Sequence, residues 1–183
     1  SLLTNNAFSY NQQQLQILKQ GVVQWNQWRL TNPDTIPDLT EANLKRMDLK
    51  GVNLMRAKLS KANLTGADLR KANLKEAELK GASLLGSDLR QANLMEANLT
   101  DVEFMHADLR GSYLREANLK KAFLKRANMS GVNLRNANLE QAVLEYANLR
   151  GANMKLANLK QANLKNADLR KAYLVGANLE GAD

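Results

Sequence analysis

The chain of 183 residues has no cysteine and a single histidine, His106. That excludes disulfide frameworks, zinc fingers, iron–sulfur sites and thiolate nucleophiles, and it leaves a Ser/His/Asp arrangement only one base. Proline is almost absent, at two residues, so neither a collagen-like rod nor a proline-rich spacer is present. Aromatic residues are 5% of a chain that is 44% apolar, so any core is built from small and aliphatic side chains. No apolar run approaches the length of a membrane-spanning helix. The opening Ser1-Leu2-Leu3-Thr4 has no basic stretch followed by an apolar one, so no secretory leader is expected. Acids are in the minority, 18 Asp and Glu against 26 Lys and Arg.

What the chain has is a repeat of five. From Leu39 to Leu179 every fifth residue is Leu, Met or Phe, with Phe104, Met129 and Met154 the three departures from Leu. Two residues before each of the 28 centres from Leu44 onward stands a small or aliphatic residue, Ala in 22 cases. The residue between is Asn in 15 and Asp in five. A helix would rotate successive leucines by about 140° and spread them over every face. A continuous strand would send alternate leucines to opposite faces. Only a chain that turns a corner every five residues, always the same way, brings every Ala and every Leu inside. Nine of the ten glycines fall on the second corner residue, where a type II turn needs a positive φ. The Asp residues of the middle slot, Asp48, Asp68, Asp88, Asp108 and Asp168, differ by multiples of 20, which implies four sides to each coil.

These tandem units, as in Ala62-Asn63-Leu64-Thr65-Gly66, resemble the pentapeptide repeat proteins, and the resemblance covers residues 38–183. It implies an all-β solenoid, a right-handed quadrilateral β-helix of about seven coils. Family members include gyrase-binding DNA mimics and cyanobacterial proteins linked to cell differentiation. A cytoplasmic location is expected, with an organellar or thylakoid lumen the alternative if an upstream targeting segment was removed.

Residues 1–37 lack the repeat and are read as a helical cap with its linker. Leu15, Leu18, Val22 and Trp25 form one helical stripe, Asn11 is the N-cap and Asn32-Pro33 the stop, so one helix is expected within 11–30. A solenoid end exposes backbone edges and core, and a cap would cover them. Trp25-Asn26-Gln27-Trp28-Arg29 also resembles leaders that precede such arrays in cyanobacterial proteins. At the other end Ala182-Asp183 stops inside a repeat, which leaves end-to-end self-association open as an expectation.

Few residues suggest chemistry. His106 sits on a corner with Gly86 and Arg126 one coil away, so it is read as a solvated surface histidine. Glu76, Glu96 and Glu116 stack at 20-residue spacing, but Lys75, Arg115 and Arg56 beside them favour a charge-compensated ladder over a cation site. The Asp column beside Lys50, Arg70, Arg90, Arg110, Arg150 and Arg170 reads likewise as a ribbon of alternating sign. No catalytic, cofactor or metal residue is assigned, and the chain is read as a non-enzyme. Apolar residues in outward slots are harder to explain by the fold. Leu85, Met105, Phe123, Val143 and Tyr146 gather on one side across four coils, the mark of an interaction surface. A weaker set, Met55, Met95, Tyr113, Leu156, Tyr173 and Val175, lies on the next side but one.

The expected function is a non-enzymatic protein-interaction scaffold, its partner a protein recognised by the first of these patches. Two alternatives stand beside it. A gyrase-binding DNA mimic needs an acidic surface, whereas residues 38–183 carry 24 Lys and Arg against 17 Asp and Glu. Direct nucleic-acid binding through the excess charge is disfavoured by the interleaved acids and the scarcity of exposed stacking aromatics.

Overall fold

The computed structural model describes residues 9–183, so the start of the chain, on which the leader expectation rests, lies outside the described residues. Two helices come first, α1 at Gln12–Lys19 and α2 at Val22–Thr31. The expected single helix is corrected at Gly21, whose φ of 125° belongs to backbone that only glycine enters cheaply. The stripe itself holds, since Leu15, Leu18 and Trp25 are buried, but it is carried on two helices that meet at that residue. Asn11 caps α1 as expected, its side chain accepting from the Gln14 N–H at 3.0 Å. Helix α2 ends at Thr31, two residues before Pro33.

From Asp38 onward the chain forms no extended strands. It makes single parallel bridges between residues 20 apart, from Asp38↔Lys58 to Asn158↔Asn178. A corner every five residues and a bridge every 20 make each coil four-sided. The bonding of one unit shows how the coils stack. Leu44 N–H donates to the Asn63 carbonyl at 2.8 Å, Asn63 N–H donates back to Ala42 at 2.9 Å, and Arg46 N–H reaches Thr65 at 2.9 Å. Met47 N–H closes the corner on Leu44 at 3.3 Å. In units with a coil on either side, four of the five backbone donors are therefore met by the backbone.

Every second corner residue from Glu41 to Gly181 has φ between 56° and 71°, as the glycines imply, yet 20 of these corners are not glycine. A side chain in this left-handed region costs about 1–2 kcal/mol. From Glu41 to Gln161 the stacking coils hold these residues there, because each donates its N–H to the next coil, as Glu41 does to Ser60 and Gln161 to Glu180. Ala and Leu slots fill the interior, with most of them wholly buried from Leu39 to Ala162. In the last coil Leu164, Leu169 and Leu174 are only partly covered and Leu179 is 42% exposed.

The two helices close the first coil. Trp25 is fully buried and its indole N–H donates to the Asn53 carbonyl at 2.8 Å. Asn26 bridges the same edge, accepting from Asn53 N–H at 2.8 Å and donating to the Gly51 carbonyl at 3.0 Å. Asn11 N–H donates to Asp38 at 2.8 Å. Arg29, buried and without a carboxylate partner among the described residues, donates to the carbonyls of Thr35 and Met55, and burial and the charge of Arg56 hold its pKa below the ordinary value.

Candidate interaction surfaces

The fifth backbone donor of each unit, on the first corner residue, explains the middle slot. Asn43 Oδ1 accepts from Lys45 N–H at 3.2 Å, Asn63 Oδ1 from Thr65 at 3.1 Å and Asp88 Oδ1 from Arg90 at 3.2 Å. The same bond recurs at every Asn and Asp of the slot that has a corner after it, down to Asn178 with Glu180 at 3.0 Å. These residues are therefore pegs that satisfy the turn rather than decoration of the surface. Asparagine side chains also bond between coils, Asn138 with Asn118 at 3.2 Å and Asn158 with Asn138 at 3.1 Å.

Where the peg is Asp, the following Arg folds back on it. Arg90 donates from Nε to Asp88 Oδ1 at 2.9 Å and from Nη2 to Oδ2 at 2.6 Å, and Arg110 meets Asp108 in the same way. Arg70 with Asp68 and Arg170 with Asp168 complete the pattern. Arg90 Nε also lies 3.7 Å from Asp108 of the next coil. Hydrogen bonds from Arg170 hold the Asp168 carboxyl down at about 2. A groove of about 510 Å³ runs along this corner, lined by Lys50, Arg70, Lys71, Arg90, Gln91, Arg110 and Gly111. Its guanidiniums carry their own counter-ions, which is the expected ribbon of alternating sign.

The Glu column is compensated as well. Lys75 Nζ lies 3.4 Å from both Glu76 and Glu96, and Arg115 lies 3.0 Å from Glu116. Among the described residues no group of three His, Cys, Asp or Glu is placed to hold a metal ion. His106 is an exposed corner residue whose backbone N–H donates to Lys125 at 3.2 Å.

The side with the surplus apolar residues departs from the peg rule. Its middle slots run Asn63, Ser83, Glu103, Phe123, Val143, Asn163, and bridges join each to the next. Four consecutive coils thus lack the Asn or Asp peg. The N–H groups of Leu85, Met105, Lys125 and Glu145 find no protein acceptor among the described residues. Phe123 is 44% exposed and sits beside the half-buried Val143, while Leu85 and Met105 stack on the adjoining corner. Tyr146 is exposed but stands on the far residue of that corner. There Arg126 and Lys125 approach its ring at 5.6 and 6.0 Å, as cation–π partners. Lys125 also pairs with Glu145 at 2.8 Å. The structure therefore places Phe123 with Val143 and Leu85 with Met105, and sets Tyr146 among cations at their margin. Ser83 and Glu103 belong to this surface and were not singled out from sequence. Their signal was a peg missing at 20-residue steps.

The class of protein follows from this architecture, a four-sided repeat solenoid with an Asn/Asp peg in each unit. Two family profiles match it, pentapeptide repeats in eight copies over residues 38–75 and 72–111, and a pentapeptide repeat region over 97–174. The chain belongs to the pentapeptide repeat family, whose members form right-handed quadrilateral β-helices. It is 38% identical to HetL, a pentapeptide repeat protein involved in heterocyst differentiation regulation in Nostoc sp. strain PCC 7120. That match covers 79% of this chain and 68% of HetL, with a TM-score of 0.44. A pentapeptide repeat protein of the Arabidopsis thaliana thylakoid lumen is 31% identical, over 65% of this chain and 69% of its own, with a TM-score of 0.45. A trypsin-treated variant of QnrB1, a plasmid-mediated fluoroquinolone resistance protein, is 19% identical over 77% and 87% of the two chains. Its TM-score of 0.53 speaks to the fold alone. No curated protein matches the chain. Pentapeptide repeat proteins are in general non-catalytic interaction or structural proteins, and no helix among the described residues is long and apolar enough to cross a membrane.

Proposed function

We propose that the chain is a non-enzymatic interaction rod, with residues 1–37 as cap and linker and residues 38–183 as an array of about seven coils. In this reading the side carrying Leu85, Met105, Phe123 and Val143, with Tyr146 at its margin, docks a protein partner. The observation that carries it is the run of four missing pegs. Each Asn or Asp replaced there forgoes a side-chain bond to the corner, worth about 0.5–1.5 kcal/mol, and nothing in the coil needs the apolar side chain in return. The same change leaves four stacked backbone N–H donors beside an exposed phenylalanine. A partner that covers the side gains an aromatic anchor and main-chain hydrogen bonds together.

The test is Phe123→Asn combined with Met105→Lys. Asn restores the peg, so the melting temperature should stay at or slightly above that of the parent. Proteins captured by the parent from its source cells should be lost by the double variant. Recovery of the same proteins by both would refute the docking side.

A further inference from the structure

The side opposite the Phe123 side carries a second surface. Its middle slots Tyr113, Asn133, Asn153 and Tyr173 are bridged in sequence and form the floor of a strip across four coils. The strip spans about 14 Å at the spacing of neighbouring strands. Both tyrosines stand out from it, Tyr113 49% and Tyr173 66% exposed. One edge is bare, because the corner residues Gly111, Gly131 and Gly151 follow one another in three successive coils. A Cβ added at Gly131 or Gly151 would meet nothing within 4 Å, so close packing does not demand glycine there.

The unpaired charge along this strip is one-signed. Arg135 and Lys155 rise on one corner, Arg150 and Lys171 on the other, all exposed, and none forms an ion pair among the described residues. The acids at the edges are already committed, Asp108 to Arg110 and Asp168 to Arg170, each at 2.6 Å, and Glu116 to Arg115 at 3.0 Å. The interleaved acids that count against nucleic acid in the sequence thus lie on the neighbouring side or are paired at the corners. The middle slots of this strip hold none.

From this placement we propose that the Tyr113–Tyr173 strip binds single-stranded nucleic acid, independently of the protein-docking side. Phosphates run between the two cationic corners, and bases stack on the two tyrosines. The Asn133 and Asn153 side chains face base edges between them, and the bare glycine edge lets the strand cross the corner. An acidic peptide has the charge for the corners but carries a flat ring only where a residue happens to be aromatic, whereas every nucleotide pairs a phosphate with a planar base, so the two tyrosines favour the nucleic acid.

Anisotropy of a fluorescein-labelled oligothymidine of about 15 nucleotides tests this, within the range of sites that single-strand binders cover. The parent should bind at about 50 mM salt, with log K falling against log salt at a slope of about −3 for four phosphate contacts. Tyr113→Asn with Tyr173→Asn restores two pegs, so it should fold as well as the parent and bind about tenfold or more weaker. Arg150→Ser with Lys155→Met brings in residues already present in those columns, at Ser130 and Met95, and should reduce the slope to about −1.5. Circular dichroism melts check that both variants fold. Absence of binding at low salt, unchanged affinity in the tyrosine variant, or equal affinity for polyglutamate or for a duplex of the same length would each overturn the proposal.

Discussion

Two sides of the same coil, built on one backbone, present opposite surfaces. On the side of Asp48, Asp68, Asp88, Asp108, Asn128, Asn148 and Asp168 every middle slot keeps its peg, and four arginines lie back on their aspartates. On the side of Ser83, Glu103, Phe123 and Val143 the pegs are gone and apolar atoms face solvent. The bridges and corners do not change between them, and the buried centres beneath both are leucines but for Phe104 and Met129. The backbone is carried by Ala, Leu and coil-to-coil bonding, so the outward slot can vary at a cost of about one hydrogen bond per position. Repeat surfaces are therefore readable by subtraction, since what the fold supplies everywhere can be removed and the remainder examined.

The largest expected effect tests the claim that the two sides share one interior. Leu109→Ala below the Asp side and Leu124→Ala below the Phe123 side should each cost about 2–5 kcal/mol in denaturant unfolding, because both leave a cavity between fully buried layers. A clear difference between them would show that the interior, not only the surface, distinguishes the sides.

A smaller effect should separate them. Asn148→Ala removes a peg and its 3.2 Å bond to Asn128, and should cost about 1 kcal/mol or somewhat more. Val143→Asn adds a peg and should leave stability unchanged or raise it by less than about 1 kcal/mol. Opposite signs in paired thermal melts would confirm the peg as the source.

Acid should weaken the Asp side along its length, and on the Phe123 side it should loosen the Glu145 pair with Lys125, whose hydrogen bond holds that carboxyl below its ordinary value. Asp168 titrates at about 2 when folded, below the ordinary carboxylate value of about 4. A depressed folded pKa stabilises above the unfolded value and is lost as pH falls through the folded one, so its contribution disappears between about pH 4 and 2. Melts of Asp168→Asn should be flatter than those of the parent across that window, and the difference should shrink in high salt. Smallest of all, Arg110→Ala should cost about 0–1 kcal/mol at neutral pH, because its pair with Asp108 is exposed.

Much of this was legible in the sequence. The slots of Ala62 and Leu64, the corner at Gly66 and the four-sided coil follow from periodicity alone, because burial and turn sterics act on single residues. The purpose of Asn63 was not legible. An outward polar residue looks solvated until its acceptor is seen at 3.1 Å from the Thr65 N–H. The break at Gly21 was hidden because Leu18, Val22 and Trp25 keep helical spacing across it. Tyr146 looked like part of the apolar patch by column, but its corner directs it to Arg126. Such partners depend on side-chain direction, which period-counting does not report.

One consequence of the 20-residue bridge concerns folding rather than recognition. Every coil-to-coil bond, such as that from Leu44 N–H to Asn63, closes a loop of about 20 residues, and none of those bonds closes a longer one. Loop-closure entropy is then the same small amount at each step, and relative contact order stays low for a protein made of β bridges. The rod can grow by adding coils to a first completed turn, so its folding rate should hardly change with the number of coils. The same uniformity makes register ambiguous. A coil docked 20 residues out of place finds the same peg, corner and leucine, and only the non-repeating features, such as Phe104 in the core or the Trp25 cap, penalise the slip.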